Sequence, residues 1–83
     1  MIKLGKIPTH INPTLKQARE IYGYTQMEAA KKIGVSVDTL GNYERGKSYP
    51  DVPVIRKIEE VYEIPYARII FLPLDYDKTV NKQ

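Results

Sequence analysis

The stretch from Tyr24 to Lys47, YTQMEAAKKIGVSVDTLGNYERGK, constrains this chain more than any other part of it. It predicts two short helices joined by a tight turn, because Gly34 follows one apolar helical stripe and Ser36 stands where an N-cap would open the next helix. Two helices joined by a short turn that contains glycine fit the helix-turn-helix pattern. Any αα-hairpin of a helical protein shares this spacing, so the outer face of the second helix has to separate the two interpretations.

Capping signals divide the rest of the chain into helices. Asn12-Pro13 predicts the start of helix one, with Thr14 as a rival cap, and Gly23 ends that helix just after Tyr22. Helix two begins at the N-cap Thr25, where Glu28 completes a capping box. Its predicted inner face is formed by Met27, Ala30 and Ile33, with Ala29 beside them.

Helix three is predicted over about Val37 to Arg45, and helix four follows the cap Asp51 with its apolar stripe at Ile55, Ile58 and Tyr62. Pro65 opens a short fifth helix that reaches about Phe71. The fold class is therefore all-α with five helices. We assign residues 1–12 to a short extended segment, 13–72 to the helical domain and 73–83 to a polar tail, and a strand over Ile2 to Leu4 is one possible use of the first segment.

Composition narrows the class of protein. A chain of 83 residues forms a single small domain, and it has no cysteine for disulfides or thiolate metal sites. The N-terminus lacks the apolar region of a signal peptide and no run is long enough to cross a membrane, which predicts a cytoplasmic protein. Residues 1–50 hold eight basic and four acidic side chains, whereas residues 51–83 hold five and six. A polyanion would therefore contact the first half, although a solvated surface with chance asymmetry explains the charge equally well.

The outer face of helix three carries residues that can contact bases. Turning Leu40 and Tyr43 inward leaves one side exposed, formed by Val37, Asp38, Gly41, Asn42 and Arg45, with Thr39 at its margin. Asn42 can bind the major-groove edge of adenine with two hydrogen bonds, Val37 can contact a thymine methyl group, and Asp38 can accept from cytosine. Candidate phosphate ligands flank this face at the helix termini: Thr25, Gln26, Ser36, Arg45, Lys47, Ser48 and Tyr49.

The segment from Leu15 to Phe71 resembles the Cro/repressor-type helix-turn-helix family of phage and bacterial regulators, also known as lambda-repressor-like or XRE-type. The matching runs are LKQARE, YTQMEAAKKIGVSVDTL, YERGKSYP and IRKIEEVY. The resemblance implies a five-helix fold that binds double-stranded DNA and regulates transcription, as a repressor in this interpretation.

The resemblance also assigns roles to individual residues. It places Val37, Asp38, Thr39 and Asn42 at base-reading positions and gives Gln26 a phosphate-binding role at the head of helix two. It further implies a partly buried salt bridge between Arg19 and Glu44 that ties helix one to helix three. Val37 and Asp38 differ from the glutamines of some members, so the resemblance specifies no operator sequence.

Other functions fit the sequence less well. The single histidine, His10, has no cysteine partner, and the carboxylates Glu59, Glu60 and Glu63 are expected on the solvated side of helix four, so we predict no enzyme, no metal site and no cofactor. The apolar residues near the end exceed what one short helix can bury, which predicts a homodimer interface at Ile69, Ile70, Phe71, Leu72 and Leu74. The alternative function is a protein-interaction module, such as an antitoxin or antirepressor, that would use the same surface for a protein partner.

Overall fold

The computed structural model describes residues 5–72, and this part of the chain is helical, as predicted. It contains four α-helices, α1 (Leu15–Tyr22), α2 (Gln26–Ile33), α3 (Val37–Arg45) and α4 (Val52–Tyr62), followed by a 3-10 turn, Tyr66–Arg68. Helix α2 packs against both α3 and α4, and α1 contacts the same two helices. The predicted strand over Ile2 to Leu4 lies outside the described residues.

The caps predicted for α2, α3 and α4 are confirmed. For α1 the rival cap, Thr14, is the correct one, and Asn12 is not the cap. Thr14 is its N-cap: the Thr14 hydroxyl accepts from the Gln17 N–H at 3.1 Å, and Gln17 Oε1 accepts from the Thr14 N–H at 2.9 Å. This reciprocal pair satisfies two N–H groups at once. Asn12 could not form such a pair, because the residue three positions after it is Leu15, whose side chain accepts no hydrogen bond. Gly23, Gly34 and Gly46 end α1, α2 and α3 in the left-handed conformation.

The core lies where the four helices meet, and one side chain predicted to be in it is exposed. Leu40, Ile58 and Tyr62 are completely buried, and Ala29 and Ala30 are buried with them on α2. Met27 is 70% exposed, so its assignment to the inner face was wrong. The small Ala29 occupies the inner position and allows α2 to approach its neighbours closely.

The predicted fifth helix is also wrong, since only the 3-10 turn forms there. The turn closes with the Arg68 N–H on the Pro65 carbonyl at 2.9 Å, and Ile69 then takes an extended conformation. The Ile70 N–H donates to the Pro13 carbonyl at 2.8 Å, which makes an isolated bridge beside Thr14. The Ile70 N–H is thus used in a tertiary hydrogen bond, and it is no longer free for the bond within the helix that a longer helix would have needed.

The segment before α1 is anchored to the domain by one arginine. Ile7 is 6% exposed and joins the core. The Arg68 guanidinium donates to the Pro8 carbonyl at 2.7 Å, to the Ile11 carbonyl, and to Asn12 Oδ1 at 3.4 Å. These bonds tie residues 8–12 to the 3-10 turn, and this part of the predicted extended segment is an irregular, largely exposed loop.

Two of the carboxylates that we expected to be solvated are structural. Glu59 accepts the Tyr66 N–H at 2.7 Å, and Glu63 accepts the Tyr22 hydroxyl at 2.7 Å. Both glutamates are half-buried: Glu59 holds the start of the 3-10 turn, and Glu63 holds the end of α1. Burial, together with the bond to Glu63, raises the pKa of Tyr22 to about 12.

Candidate nucleic-acid interface

The exposed surface of α3, formed by Val37, Asp38, Thr39 and Asn42, is called the reading face below. Ser36 opens the helix, since its hydroxyl oxygen accepts from the Thr39 N–H at 3.0 Å and also donates to the Thr39 hydroxyl at 2.8 Å. Val37 and Asp38 are exposed, while Thr39 and Asn42 are half-buried at the edges. Four adjacent side chains therefore reach the surface from one helix, near its N-terminal end.

Arg45 lies back along α3 and contacts the reading face. Its Nη2 donates to Asn42 Oδ1 at 2.8 Å, and its Nη1 lies 3.1 Å from the position that a Cβ on Gly41 would occupy. The Gln26 amide nitrogen lies 3.7 Å from that same position. These two side chains cover Gly41, which explains why Gly41 is buried and not exposed as we expected.

The start of α2 is partly occupied by its own capping interactions. The Thr25 hydroxyl accepts the Glu28 N–H at 3.0 Å, and Glu28 Oε1 accepts the Thr25 N–H at 2.9 Å. The capping box leaves the backbone N–H groups of Gln26 and Met27 as the donors that this helix terminus can offer an anion. Thr25 itself is exposed beside them.

The far end of α3 carries the second group of candidate phosphate ligands. Lys47 is exposed, and its backbone N–H donates to the Asn42 carbonyl at 2.9 Å, which fixes the first turn after the helix. Ser48 is half-buried, and the Tyr49 ring is 49% exposed with an edge-to-face contact to Phe71 at 6.3 Å. Ser36 and Lys47 thus place polar groups at the two ends of α3.

A buried ionic cluster joins three helices behind the reading face. Glu44 Oε2 accepts from Arg19 Nε at 2.7 Å, and Glu44 Oε1 accepts from Arg19 Nη2 at 3.2 Å and from Gln26 Nε2 at 3.0 Å. Arg19 Nη1 donates to the Tyr24 carbonyl at 3.0 Å. The two charged side chains are only 12% and 3% exposed, and the hydrogen bond to Glu44 raises the pKa of Arg19. We call Arg19, Gln26 and Glu44 the Glu44 cluster.

Two of these contacts were absent from the sequence interpretation. Gln26 was assigned to phosphate, yet its amide donates to Glu44, which leaves one N–H for an outside ligand. The pair of Asn42 and Arg45 was also missed, although residues three apart on a helix are neighbours and this spacing was visible. The residues near Gln26 in space come from α3, so local spacing could not reveal its partner.

Among residues 5–72, no group of three histidine, cysteine, aspartate or glutamate side chains is arranged to hold a metal ion. No helix in this range is both long and apolar enough to cross a bilayer.

Comparison with known families agrees with this geometry. A family model described as helix-turn-helix matches residues 15–69, which is more than half of the chain. The chain belongs to this helix-turn-helix family. The resemblance to Cro/repressor-type proteins is thereby confirmed, and membership in the family supports the prediction that the chain is not an enzyme.

Similar proteins carry matching names. The chain is 42% identical over 50 residues to the HTH-type transcriptional regulator ImmR of Bacillus subtilis, which covers 60% of this chain and 39% of ImmR. It is 38% identical over 50 residues to the uncharacterized HTH-type transcriptional regulator YazB of the same organism, covering 60% and 72%. It is 35% identical over 63 residues to the HTH-type transcriptional regulator SutR of Escherichia coli, covering 76% and 35%. The chain thus spans well under half of ImmR and SutR, and no solved structure matches it significantly.

Proposed function

We propose that this chain is a sequence-specific DNA-binding regulator of transcription, acting as a repressor, with α3 entering the major groove of its operator. The observation that carries the proposal is the attachment of α3 to α1 and α2 through the Glu44 cluster, directly behind the reading face. A reading helix held rigidly by buried charge can present side chains to bases without reorganising on binding. Membership in the helix-turn-helix family and the names of the relatives support the same function.

In this proposal the start of α2 and the loop after α3 orient the protein on the DNA backbone. The N–H groups at the start of α2 bind one phosphate, and the remaining amide N–H of Gln26 assists them. Lys47 binds a second phosphate beyond the other end of α3. Thr25, Ser36, Ser48 and Tyr49 complete the set of backbone ligands.

We further propose that the protein binds as a homodimer to a near-palindromic operator, with half-sites about 34 Å apart. Ile70 is 48% exposed, and Phe71 and Leu72 are half-buried beside it, so these three side chains offer an apolar surface. Ile69 is 7% exposed and belongs to the core, so its place in the predicted interface was wrong. Leu74 lies outside the described residues.

A groove beside this surface extends the apolar area. It has a volume of about 360 Å³ and is lined by Tyr49, Pro50, Ile55, Tyr66 and Phe71. This groove is the observation that keeps a protein-interaction module, such as an antitoxin or antirepressor, as the second candidate function. A partner protein would cover the same side chains that a second copy would cover.

Binding measurements with matched lysine variants test DNA recognition. Sites are first selected from random duplex DNA, and affinity is then measured by fluorescence anisotropy over a series of salt concentrations. Lys47→Ala should weaken binding to all sequences and lower the salt slope by about one. The control is Lys57→Ala on α4, where the lysine pairs with Glu60 at 3.7 Å, and it should leave the slope unchanged. Equal effects of both variants, or no binding by the wild type at low salt, would refute the proposal.

Sedimentation without DNA tests the dimer. Ile70→Asp should shift the protein towards monomer, because a carboxylate in an apolar interface is desolvated without a partner. Met27→Asp is the control, since Met27 is more exposed than Ile70 and lies on α2. A wild-type protein that sediments as a monomer both free and on DNA contradicts the homodimer. Tight, stoichiometric binding to one protein, without DNA binding, would favour the interaction module.

A further inference from the structure

Arg45 has the geometry of a residue that selects a base, although its place at the end of α3 suggested a phosphate ligand. A long side chain on a helix leans towards the N-terminus and covers the turn before its own Cα. Arg45 does this, since its guanidinium reaches Asn42 and lies over Gly41. Its charged end is therefore beside the middle of the reading face and not beyond the helix.

Gly41 makes this position possible. A Cβ at residue 41 would lie 3.1 Å from Arg45 Nη1, closer than side chains normally approach, and no other residue type lacks this atom. The guanidinium therefore rests directly on the backbone of α3. Any other side chain at position 41 would require the guanidinium to shift by a few tenths of an ångström from this position.

The bond to Arg45 also fixes what Asn42 can offer. Arginine carries only donors, so the atom of Asn42 that faces it is the oxygen, and the Asn42 amino group points elsewhere. An isolated asparagine would use both its oxygen and its amino group to bind adenine. Because the oxygen already accepts from Arg45, the pair presents N–H donors to a ligand.

Guanine is the base whose major-groove edge accepts hydrogen bonds at two adjacent atoms, N7 and O6. Adenine offers one acceptor there and one amino donor, which would face the donors of Arg45. We infer that Arg45, positioned by Gly41 and paired with Asn42, is a specificity-determining residue that selects guanine in the operator. This inference rests on the proposed function, and it replaces the adenine contact that Asn42 alone suggested.

Two substitutions separate base reading from phosphate binding. Arg45→Lys keeps the charge and removes the planar pair of donors that matches guanine, whereas a phosphate contact tolerates lysine. Gly41→Ala retains Arg45 and adds only a methyl group, which shifts the guanidinium by a few tenths of an ångström. Alanine favours the helix more than glycine does, so this variant should fold at least as well as the wild type.

The experiment uses the full chain and the site selected from random DNA. Each guanine of that site is replaced in turn by adenine, and separately by 7-deazaguanine, which lacks the N7 acceptor. At one position, wild-type affinity should fall at least about tenfold for both replacements. Arg45→Lys should reduce that discrimination to about twofold or less, and Gly41→Ala should reduce it in part, each with an unchanged salt slope.

Other outcomes overturn the inference in distinguishable ways. Arg45 is a phosphate ligand if Arg45→Lys retains the discrimination while Arg45→Ala weakens all sequences equally and lowers the salt slope by about one. If the wild-type protein selects a site but its affinity depends on no guanine, this inference is refuted and the proposed function is not. A wild type that selects no sequence refutes both this inference and the proposed function.

Discussion

Replacement of Glu44 by alanine is the perturbation that tests the Glu44 cluster most directly. The carboxylate accepts two hydrogen bonds from Arg19 and one from Gln26, and its side chain is 3% exposed. Glu44→Ala removes these acceptors and leaves the Arg19 guanidinium without its hydrogen-bonded carboxylate, while the Tyr24 carbonyl still accepts from Arg19 Nη1. The cost arises chiefly from that stranded charge.

The expected magnitude follows from burial. Breaking a buried ion pair by removing one partner costs about 3–5 kcal/mol of the free energy of unfolding. Arg19 retains 12% of its side-chain exposure and can recover some hydration, so we place the loss near the lower end, at about 3 kcal/mol. For a domain of this size, such a loss lowers Tm by roughly 12–24 °C.

Urea unfolding followed by circular dichroism gives the measurement. The ion pair of Lys57 and Glu60 on α4 provides the control, because its side chains are 51% and 72% exposed and Lys57 Nζ lies 3.7 Å from Glu60 Oε1. Glu60→Ala should change stability by no more than about 0.5 kcal/mol. The double variant Arg19→Met, Glu44→Leu removes both charges and should regain most of the loss seen in Glu44→Ala.

Two results would refute this account of Glu44. The first is a Glu44→Ala variant that is no less stable than Glu60→Ala, which would mean that water compensates Arg19 fully. The second is a double variant that is as unstable as Glu44→Ala, which would show that packing or lost hydrogen bonds, and not an unpaired charge, determine the cost.

Three further predictions concern the supports around the core. Arg68→Ala should lower the free energy of unfolding by about 1–3 kcal/mol and speed amide hydrogen exchange in residues 8–12, because the carbonyls that it binds lose their donor. Tyr62→Phe should leave stability unchanged or raise it, as judged by urea unfolding, because the Tyr62 hydroxyl is buried with no hydrogen-bond partner in the described part of the chain. Stability should fall as pH rises from about 10 to 12, since unfolded tyrosines lose their protons near pH 10 while burial and the bond to Glu63 hold the pKa of Tyr22 at about 12. Tyr22→Phe should flatten that part of the urea-unfolding pH profile.

The features that the sequence predicted correctly are local ones. The cap at Thr25 and its partner Glu28 lie three residues apart, and Ser36 caps α3 through the same short reach. Glycines 23, 34 and 46 end their helices because the left-handed conformation disfavours other residues. Each of these signals needs only its immediate neighbours, so one sequence is enough to find it.

The errors occur where distant parts of the chain decide the outcome. Met27 and Ala29 lie on nearly opposite sides of α2, so only one of them can face the core, and the positions of α3 and α4 make Ala29 the buried one. The fifth helix is absent because the Ile70 N–H bonds to Pro13, far away in sequence. Apolar periodicity predicts a helix and its apolar face, but it does not specify which neighbouring segment covers that face.

The reading face and the stability of the domain depend on the same few residues, so they cannot be treated separately. Gly41 costs the helix about 1 kcal/mol relative to alanine, yet it provides the space in which Arg45 meets Asn42. Glu44, the residue before Arg45, is buried and accepts hydrogen bonds from Arg19 and Gln26. One turn of helix therefore presents donors outward and an ionic anchor inward, and a destabilising glycine is explained by the surface that it makes possible. If Gly41→Ala raises Tm and also lowers discrimination among bases, the glycine is retained for binding at the expense of stability.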